Sequence, residues 1–529
     1  MRRPGIDLRL ASQVAVVTAV SATTIGAAGR LHQWNSDDVA LQVAMRTWSP
    51  GNSTLYMPEG TWFLRVPLQA IVEAVFGSGT STLLVEAIAV NVLAALMIFW
   101  FIRLVTSKVV AHTASPSISA ENGWMAVLVT CWMLTLSSVV VDSMLRPNLR
   151  NLEIGVVCVG LGLVVGRVRL SNAESAQRSI RRLALPALWF GVLAIDDPTA
   201  MYSIVIPAAL IGALVFATRR SPLAEDVVLV AGGSVVTWRV GLLLLRAVGV
   251  ETVSLNPRVI HAAELPTTLA NTTDSLARVF DVPIFGATLH DLRLAVVLPQ
   301  LALLSLAAIA VVRHRTSIRS VPLVIGSAAW AVGLLAAFLL SSHGLSEANI
   351  RYVVFGAVPI VAILAASLAA TDGRPRRVML GLMVVVLSVH LYDVARSMRT
   401  DTSPNSDAAR LVEALSKADV RRGYGDFWET VGPSYFDESL TLVPVRCVDA
   451  GLTAARHWFV DGSIAKPDPM AERTAYINND RPGLLTCTLE QVKAQFGEPL
   501  ETIQVTTTIT LLLYEGDIAN NFALPARPG

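Results

Sequence analysis

Apolar stretches of about 20 residues, the length needed to cross the hydrocarbon core of a bilayer, recur along the chain between short polar loops. They predict membrane-spanning helices near 10–29, 82–102, 124–141, 153–166, 183–195, 200–218, 227–249, 294–312, 321–341, 352–370 and 378–394. The stretches at 153–166 and 183–195 are short for spans, so tilt or shifted bounds are expected there. Beyond 397 the pattern changes. Helical periodicity covers 404–418 and Leu489–Phe496, and strand-like runs fall at Leu440–Val445, Leu484–Thr488 and Ile503–Leu513. Asp480-Arg481-Pro482-Gly483 supplies a turn between elements. The predicted architecture is a polytopic α-helical membrane protein with about eleven transmembrane helices over 1–396. A small α/β domain over 397–529 follows it.

Composition agrees. The chain has 529 residues, is 53% hydrophobic and is only 16% charged, against roughly 25% in soluble domains. Its mean hydropathy is +0.56, so lipid must cover much of the apolar surface. A net charge of +2 is too balanced to suggest a nucleic-acid partner, and no run of bases with interleaved aromatics appears. Lysine occurs only at Lys108, Lys417, Lys466 and Lys493, and this bias toward Arg fits a GC-rich bacterial genome.

Charge sets the expected sidedness. Arg2, Arg3 and Arg9 precede the first span, and Arg103 and Lys108 follow the second. Further basic loops carry Arg167, Arg169, Arg178, Arg181, Arg182, Arg219, Arg220, Arg313, Arg315, Arg319, Arg374, Arg376 and Arg377. These are alternate loops, hence one side, and by the positive-inside rule the cytoplasm. The opposite loops hold Asp37, Asp38, Asp142, Asp196, Asp197, Asp281 and Glu347. The expected location is therefore the plasma membrane, multi-pass, with the amino terminus inside and the tail extracytoplasmic. Cys131 and Cys158 fall in apolar spans as packing residues. Cys447 and Cys487 both fall in the tail, where a disulfide and two free buried thiols are equally open.

No GxxxxGK[ST] loop is present, which argues against an ATP-driven pump, and no spacing suggests zinc. The glycines at Gly160, Gly162 and Gly166 lie within a span and suit helix packing. The candidate chemistry lies in the outer loops. The first reads Trp34-Asn35-Ser36-Asp37-Asp38, runs amphipathically through Leu41, Ala44 and Met45, and reaches Glu59 and then Arg65-Val66-Pro67. The second carries Arg146, Arg150 and Glu153, the third Asp196-Asp197-Pro198. His343, Glu347 and Arg351-Tyr352 lead into a late span, and Arg239 stands in mid-span.

This layout over 1–395 resembles the GT-C superfamily of polyprenyl-phosphate-sugar glycosyltransferases, nearest to the protein mannosyltransferase and aminoarabinose transferase branches. Those proteins place an Asp-Asp or Asp-Glu pair in the first outer loop, then an amphipathic helix and a basic-Pro segment. An Arg-Tyr enters a late span, and an outer soluble domain often follows. Many carry Lys-Pro-Pro where this chain has Arg65-Val66-Pro67, and an Arg fork is not interchangeable with an ammonium. Gly423-Tyr424-Gly425-Asp426-Phe427-Trp428 looks like an aromatic motif of bacterial outer domains.

The resemblance implies transfer of a sugar from a polyprenyl phosphate to an envelope polysaccharide, glycolipid or protein, by inverting single displacement. Asp38 or Asp37 is the implied base; the sequence does not decide between them. Arg65, Arg351 and Arg150 would hold the lipid phosphate, with Arg146, Arg239 and His343 as further candidates. Asp197, Asp196 and Glu59 would orient substrate. No cofactor is required and a divalent metal is optional, because the phosphate already leaves as an anion.

Plainer readings stand beside these. The Asp pair can cap a helix, Arg146 and Arg150 can snorkel, and Arg150 and Glu153 can pair on a helix. Arg239 costs about 2.5–3.5 kcal/mol in mid-span and so is expected to face a cavity or a partner. Tyr424–Trp428 can be tail core. The rival functions are a lipid or glycolipid transporter and a non-catalytic envelope-assembly subunit.

Overall fold

The structure is a computed structural model that describes residues 7–31, 39, 42–43, 55–58, 65–77, 79–113, 119–145, 151–167, 176–219, 221–253, 258–282, 293–319, 321–346, 349–397, 406–448, 451–454, 467–480 and 487–522. The helices follow the apolar segments. They are α1 (Leu8–Leu31), α2 (Arg65–Phe76), α3 (Thr80–Thr113), α4 (Ser119–Leu134), α5 (Ser138–Leu145), α6 (Asn151–Val165) and α7 (Ala176–Asp196). Then come α8 (Ile206–Arg219), α9 (Pro222–Ala247), α10 (Leu265–Val279), α11 (Leu294–Arg313), α12 (Arg315–Arg319), α13 (Pro322–Leu339), α14 (Ile350–Ala370) and α15 (Arg374–Ser397).

Every predicted span therefore falls on a helix. By length and composition, though, eight helices among the described residues are able to cross a bilayer alone. A ninth crossing would be α4 with α5, which are bent by 90° at their break. The difference from about eleven lies in that bend, in the 15 residues of α6, and in the Arg-bearing start of α7.

The chain divides into two compact units: Met1–Gly29, Ala87–Gly241 and Asn256–Thr400 form one, and Arg30–Glu86, Leu242–Leu255 and Asp401–Gly529 the other. At the centre of the first unit is α14. In its Tyr352–Ala370 span 89% of the window is buried, against 17% for α9. Gly356, Ala357, Ala362, Ala365, Ala366 and Ala369 keep α14 slender enough for close helix approach. Nearby, a π-helical turn at Met201–Val205 meets Gly333 of α13 so closely that a Cβ there would lie 2.4 Å from the Ser203 carbonyl oxygen. Only glycine fits.

In the second unit, β1 (Leu55–Pro58) pairs in parallel with β2 (Val250–Val253). The turn from α2 to α3 uses Gly77 and Gly79, both at positive φ. The tail begins with α16 (Ser406–Lys417), β3 (Arg422–Gly425) and α17 (Phe427–Phe436), followed by β4 (Thr441–Val448), β5 (Gly451–Ala454) and β6 (Arg473–Asn479). It ends with α18 (Leu489–Phe496), β7 (Glu501–Gln504) and β8 (Ile509–Glu515). The sheet order is β5-β4-β3-β6-β8-β7. Its β4-β3-β6 centre is parallel, and the outer strands pair antiparallel.

Alternation along each strand builds two apolar layers. Tyr424, Val443, Val445, Tyr476, Leu512 and Tyr514 join Val492 of α18 on one face. Leu442, Ala475, Ile477, Leu511 and Leu513 join Leu411 and Leu415 of α16 on the other. Gly423 falls on the second face, where a Cβ would lie 2.9 Å from Leu442 Cδ2. The α/β tail domain is thus as the pattern predicts, with three corrections. The run Ile503–Leu513 is a hairpin, not one strand. Thr488, read as the end of a strand, instead caps α18 through Gln491; Leu484, Leu485 and Thr486 lie outside the described residues. The sequence reading also missed β3, β5, β6 and α17. Cys447 and Cys487 are bonded, with their Cα atoms 5.0 Å apart.

Candidate functional site

Of the residues singled out by sequence, Asp37, Asp38, Glu59, Arg146 and Arg150 lie outside the described residues. The others are placed as follows. Arg65 opens α2 and is buried. Its Nε donates to Glu86 Oε1 at 2.8 Å, and the two side chains are only 2% and 1% exposed. Gln42 Nε2, equally buried, donates to Glu86 Oε2 at 3.1 Å. Glu86 was missed in the sequence reading. The available signal was a carboxylate inside an apolar span, which is costly enough to mark a partner or a function.

In the first unit, Asp196 ends α7 and Asp197 follows it, both 1% exposed. Asp197 Oδ1 accepts from the Thr199 N–H at 2.9 Å, so this carboxylate shapes the turn before the π-helix. Trp189 Nε1 donates to the Val156 carbonyl at 2.9 Å, locking α7 onto α6. Glu153, in the first turn of α6, is buried as well.

His343 lies in the 3-10 turn Ser342–Leu345. Its ring stacks on Tyr352 with centroids 4.5 Å apart. Arg351 is the residue before Tyr352, at the start of α14, so the fold brings His343 and the Arg351-bearing turn together. Asn271 of α10 donates to the Gly344 carbonyl at 2.9 Å, and Asn349 to the His343 carbonyl at 3.0 Å, fixing that turn.

Arg239 is exposed on α9, with its guanidinium carbon 4.5 Å from the Trp238 ring centroid. It is eight residues from the end of α9, or about 12 Å of rise, and a long side chain on an exposed face can snorkel.

One described pair was not anticipated. His390 of α15 places Nε2 3.1 Å from Asp281 Oδ2, with the His side chain 7% exposed. In the tail, Tyr424 is wholly buried core, whereas Trp428 is 42% exposed. Asp426 caps α17 by accepting from the Trp428 N–H at 3.1 Å. Burial raises its carboxyl above the ordinary aspartate range, against the lowering effect of that hydrogen bond. Among the described residues, no three His, Cys, Asp or Glu side chains converge as a metal-binding group.

The sequence matches no family model and no curated protein. The fold, however, has clear likenesses among solved structures. The aminoarabinose transferase ArnT from Cupriavidus metallidurans in the apo state superposes with a TM-score of 0.53 at 10% identity, over 96% of this chain and 97% of that one. The same protein bound to undecaprenyl phosphate gives 0.55 at 10% identity, over 99% of both chains. The chain therefore shares the fold of these ArnT structures over nearly its whole length, with the apolar helices of a polytopic membrane protein and a sheet-bearing tail.

Proposed function

We propose that this protein is a membrane glycosyltransferase that moves a sugar from a polyprenyl-phosphate donor to an envelope acceptor on the outer face. The observation that carries the reading is the end-to-end fold likeness to ArnT, one of whose structures holds undecaprenyl phosphate.

The chemistry is a single displacement. The acceptor hydroxyl oxygen forms a bond to the anomeric carbon while the bond from that carbon to the phosphate oxygen breaks, inverting the centre. The hydroxyl proton passes to Asp38 or Asp37 as general base, and the electron pair of the broken bond leaves on the polyprenyl phosphate. Arg65, Arg351 and Arg150 would carry that anion as charge-assisted donors, with Arg146 and His343 as further candidate donors. Asp196, Asp197 and Glu59 would orient substrate. Because the leaving group is already anionic, a divalent metal is optional in this mechanism. The tail domain would bind or steer the acceptor, a glycan, glycolipid or protein.

The test uses the purified protein in detergent, a panel of radiolabelled polyprenyl-phosphate sugars and a crude envelope acceptor. Wild type is compared with folded Asp37→Asn and Asp38→Asn variants. Transfer of one sugar that is lost in either variant names the donor and the base. No transfer by wild type, with equal lipid binding by all three proteins, would instead support the transporter or scaffold.

A further inference from the structure

Glu86 has no assigned part in the reaction, yet it is among the most deeply buried charged groups in the protein. It sits in the second turn of α3, within a span of mean hydropathy 2.3, and is 1% exposed. A carboxylate in such a place is tolerated only when its oxygens are matched by donors. Both are. Oε1 takes Arg65 Nε at 2.8 Å and Oε2 takes Gln42 Nε2 at 3.1 Å.

These partners come from separate segments, 21 and 44 residues away in sequence. Arg65 begins α2, and Gln42, like Val39 and Val43, has helical backbone. Asp38 precedes Gln42 by four positions. One carboxylate therefore ties together the segment that follows the acidic pair, the arginine at the start of α2, and α3.

We propose that Glu86 is a positioning residue for glycosyl transfer, clamping Arg65 in the orientation that receives the donor phosphate and holding Gln42 beside it. This rests on the glycosyltransferase reading above. Glu86 touches neither substrate nor the reacting atoms; it acts through Arg65 and Gln42. The Nε bond fixes the plane of the guanidinium, so the other donors of the fork point in a set direction before any lipid arrives. A neutral amide at this position would keep a hydrogen bond to Gln42 but release the guanidinium.

The test compares wild type, Glu86→Gln, Glu86→Asp, and the apolar pair Arg65→Met with Glu86→Leu. Each is assayed for transfer from the polyprenyl-phosphate sugar that wild type uses, and for amide exchange in peptides containing residues 39–43 and 65–69. Glu86→Gln is expected to raise the donor KM about tenfold or more, to leave the acceptor KM unchanged, and to speed exchange in both peptides. Glu86→Asp should recover part of the loss. The apolar pair removes both charges together, so it is expected to fold while losing donor affinity; it replaces Glu86→Gln if that variant does not fold. Faster exchange with an unchanged donor KM would make the ion pair purely structural and overturn the inference. Unchanged exchange would overturn it too. If wild type transfers from no donor, the reading of the site falls and the inference with it; if wild type and Glu86→Gln transfer alike, the inference alone falls.

Discussion

The phenol of Tyr424 donates to Asp517 Oδ1 at 2.5 Å, which joins the central strand of the tail sheet to the turn that follows its β8 strand. The same carboxylate takes Arg422 Nε at 2.9 Å and the backbone N–H groups of Asp468 and Ala519 at 2.7 and 2.9 Å. Asp517→Ala would take this acceptor from the Tyr424 phenol and the Asp468 and Ala519 N–H groups in a buried setting, while Arg422 Nε would keep the Tyr424 hydroxyl at 2.7 Å as its acceptor. The tail should lose about 3 kcal/mol or more of stability, whereas Tyr424→Phe, which removes the donor to Asp517 and the hydroxyl that accepts from Arg422 Nε but leaves Arg422 its carboxylate partner, should cost about 1 kcal/mol. Thermal melts of the full-length protein in detergent, followed by tail-specific proteolysis, would read both; equal effects of the two variants would contradict the shared-acceptor picture.

The Cys447–Cys487 bond links the end of β4 to the residue before the cap of α18, 40 positions apart. Replacing both cysteines by serine should destabilise the tail by about 2–4 kcal/mol. The check is the melting temperature with and without reductant: wild type should fall toward the double variant on reduction, and the variant should not respond.

Asp426 should make the tail pH-sensitive in a particular sense. Burial raises its carboxyl pKa in the folded state, so the folded protein binds the proton more tightly than the unfolded chain does. Stability from this group is therefore greatest below the ordinary aspartate range and declines as pH rises through the raised pKa. Asp426→Asn keeps a capping oxygen and removes the ionisation. Its melting temperature should exceed that of wild type at neutral pH, and the gain should vanish in acid. A gain that is constant with pH would exclude the buried carboxyl as its source.

Arg65→Lys keeps the charge but loses the planar fork that meets Glu86. If Arg65 also receives the donor phosphate, kcat/KM for the donor should drop about ten- to hundredfold, the worth of one hydrogen bond to a charged group. Steady-state kinetics against donor concentration would measure it, and a wild-type value in Arg65→Lys would remove Arg65 from the phosphate site.

Hydropathy made the helices legible, and alternation made the tail legible as α/β. The residues Leu440–Val445 were readable as a strand because β4 is an apolar run of the kind a doubly covered strand requires. By contrast, β3 is only Arg-Gly-Tyr-Gly, and its glycines are there for close contact with Leu442 and Ile477. Glycines of that kind carry no strand signal. The candidate site was legible only in part. Arg65 was visible from its Pro-linked loop, but Glu86, inside an apolar run, became meaningful only once its partners were known.

What the sequence by itself determined is where the membrane helices lie, the change of character near 397, and the set of polar residues that interrupt the apolar pattern. Tertiary structure alone decided which helix is central. The spans Tyr352–Ala370 and Pro222–Ala247 both pass as membrane helices, with hydropathies of 2.5 and 1.9, yet 89% of the first window is buried and 17% of the second. Lipid and protein interior are alike apolar, so hydropathy cannot tell them apart. The same reason governs the charges. Arg65 and Arg239 each sit beside apolar sequence, and only packing places one against Glu86 and leaves the other exposed.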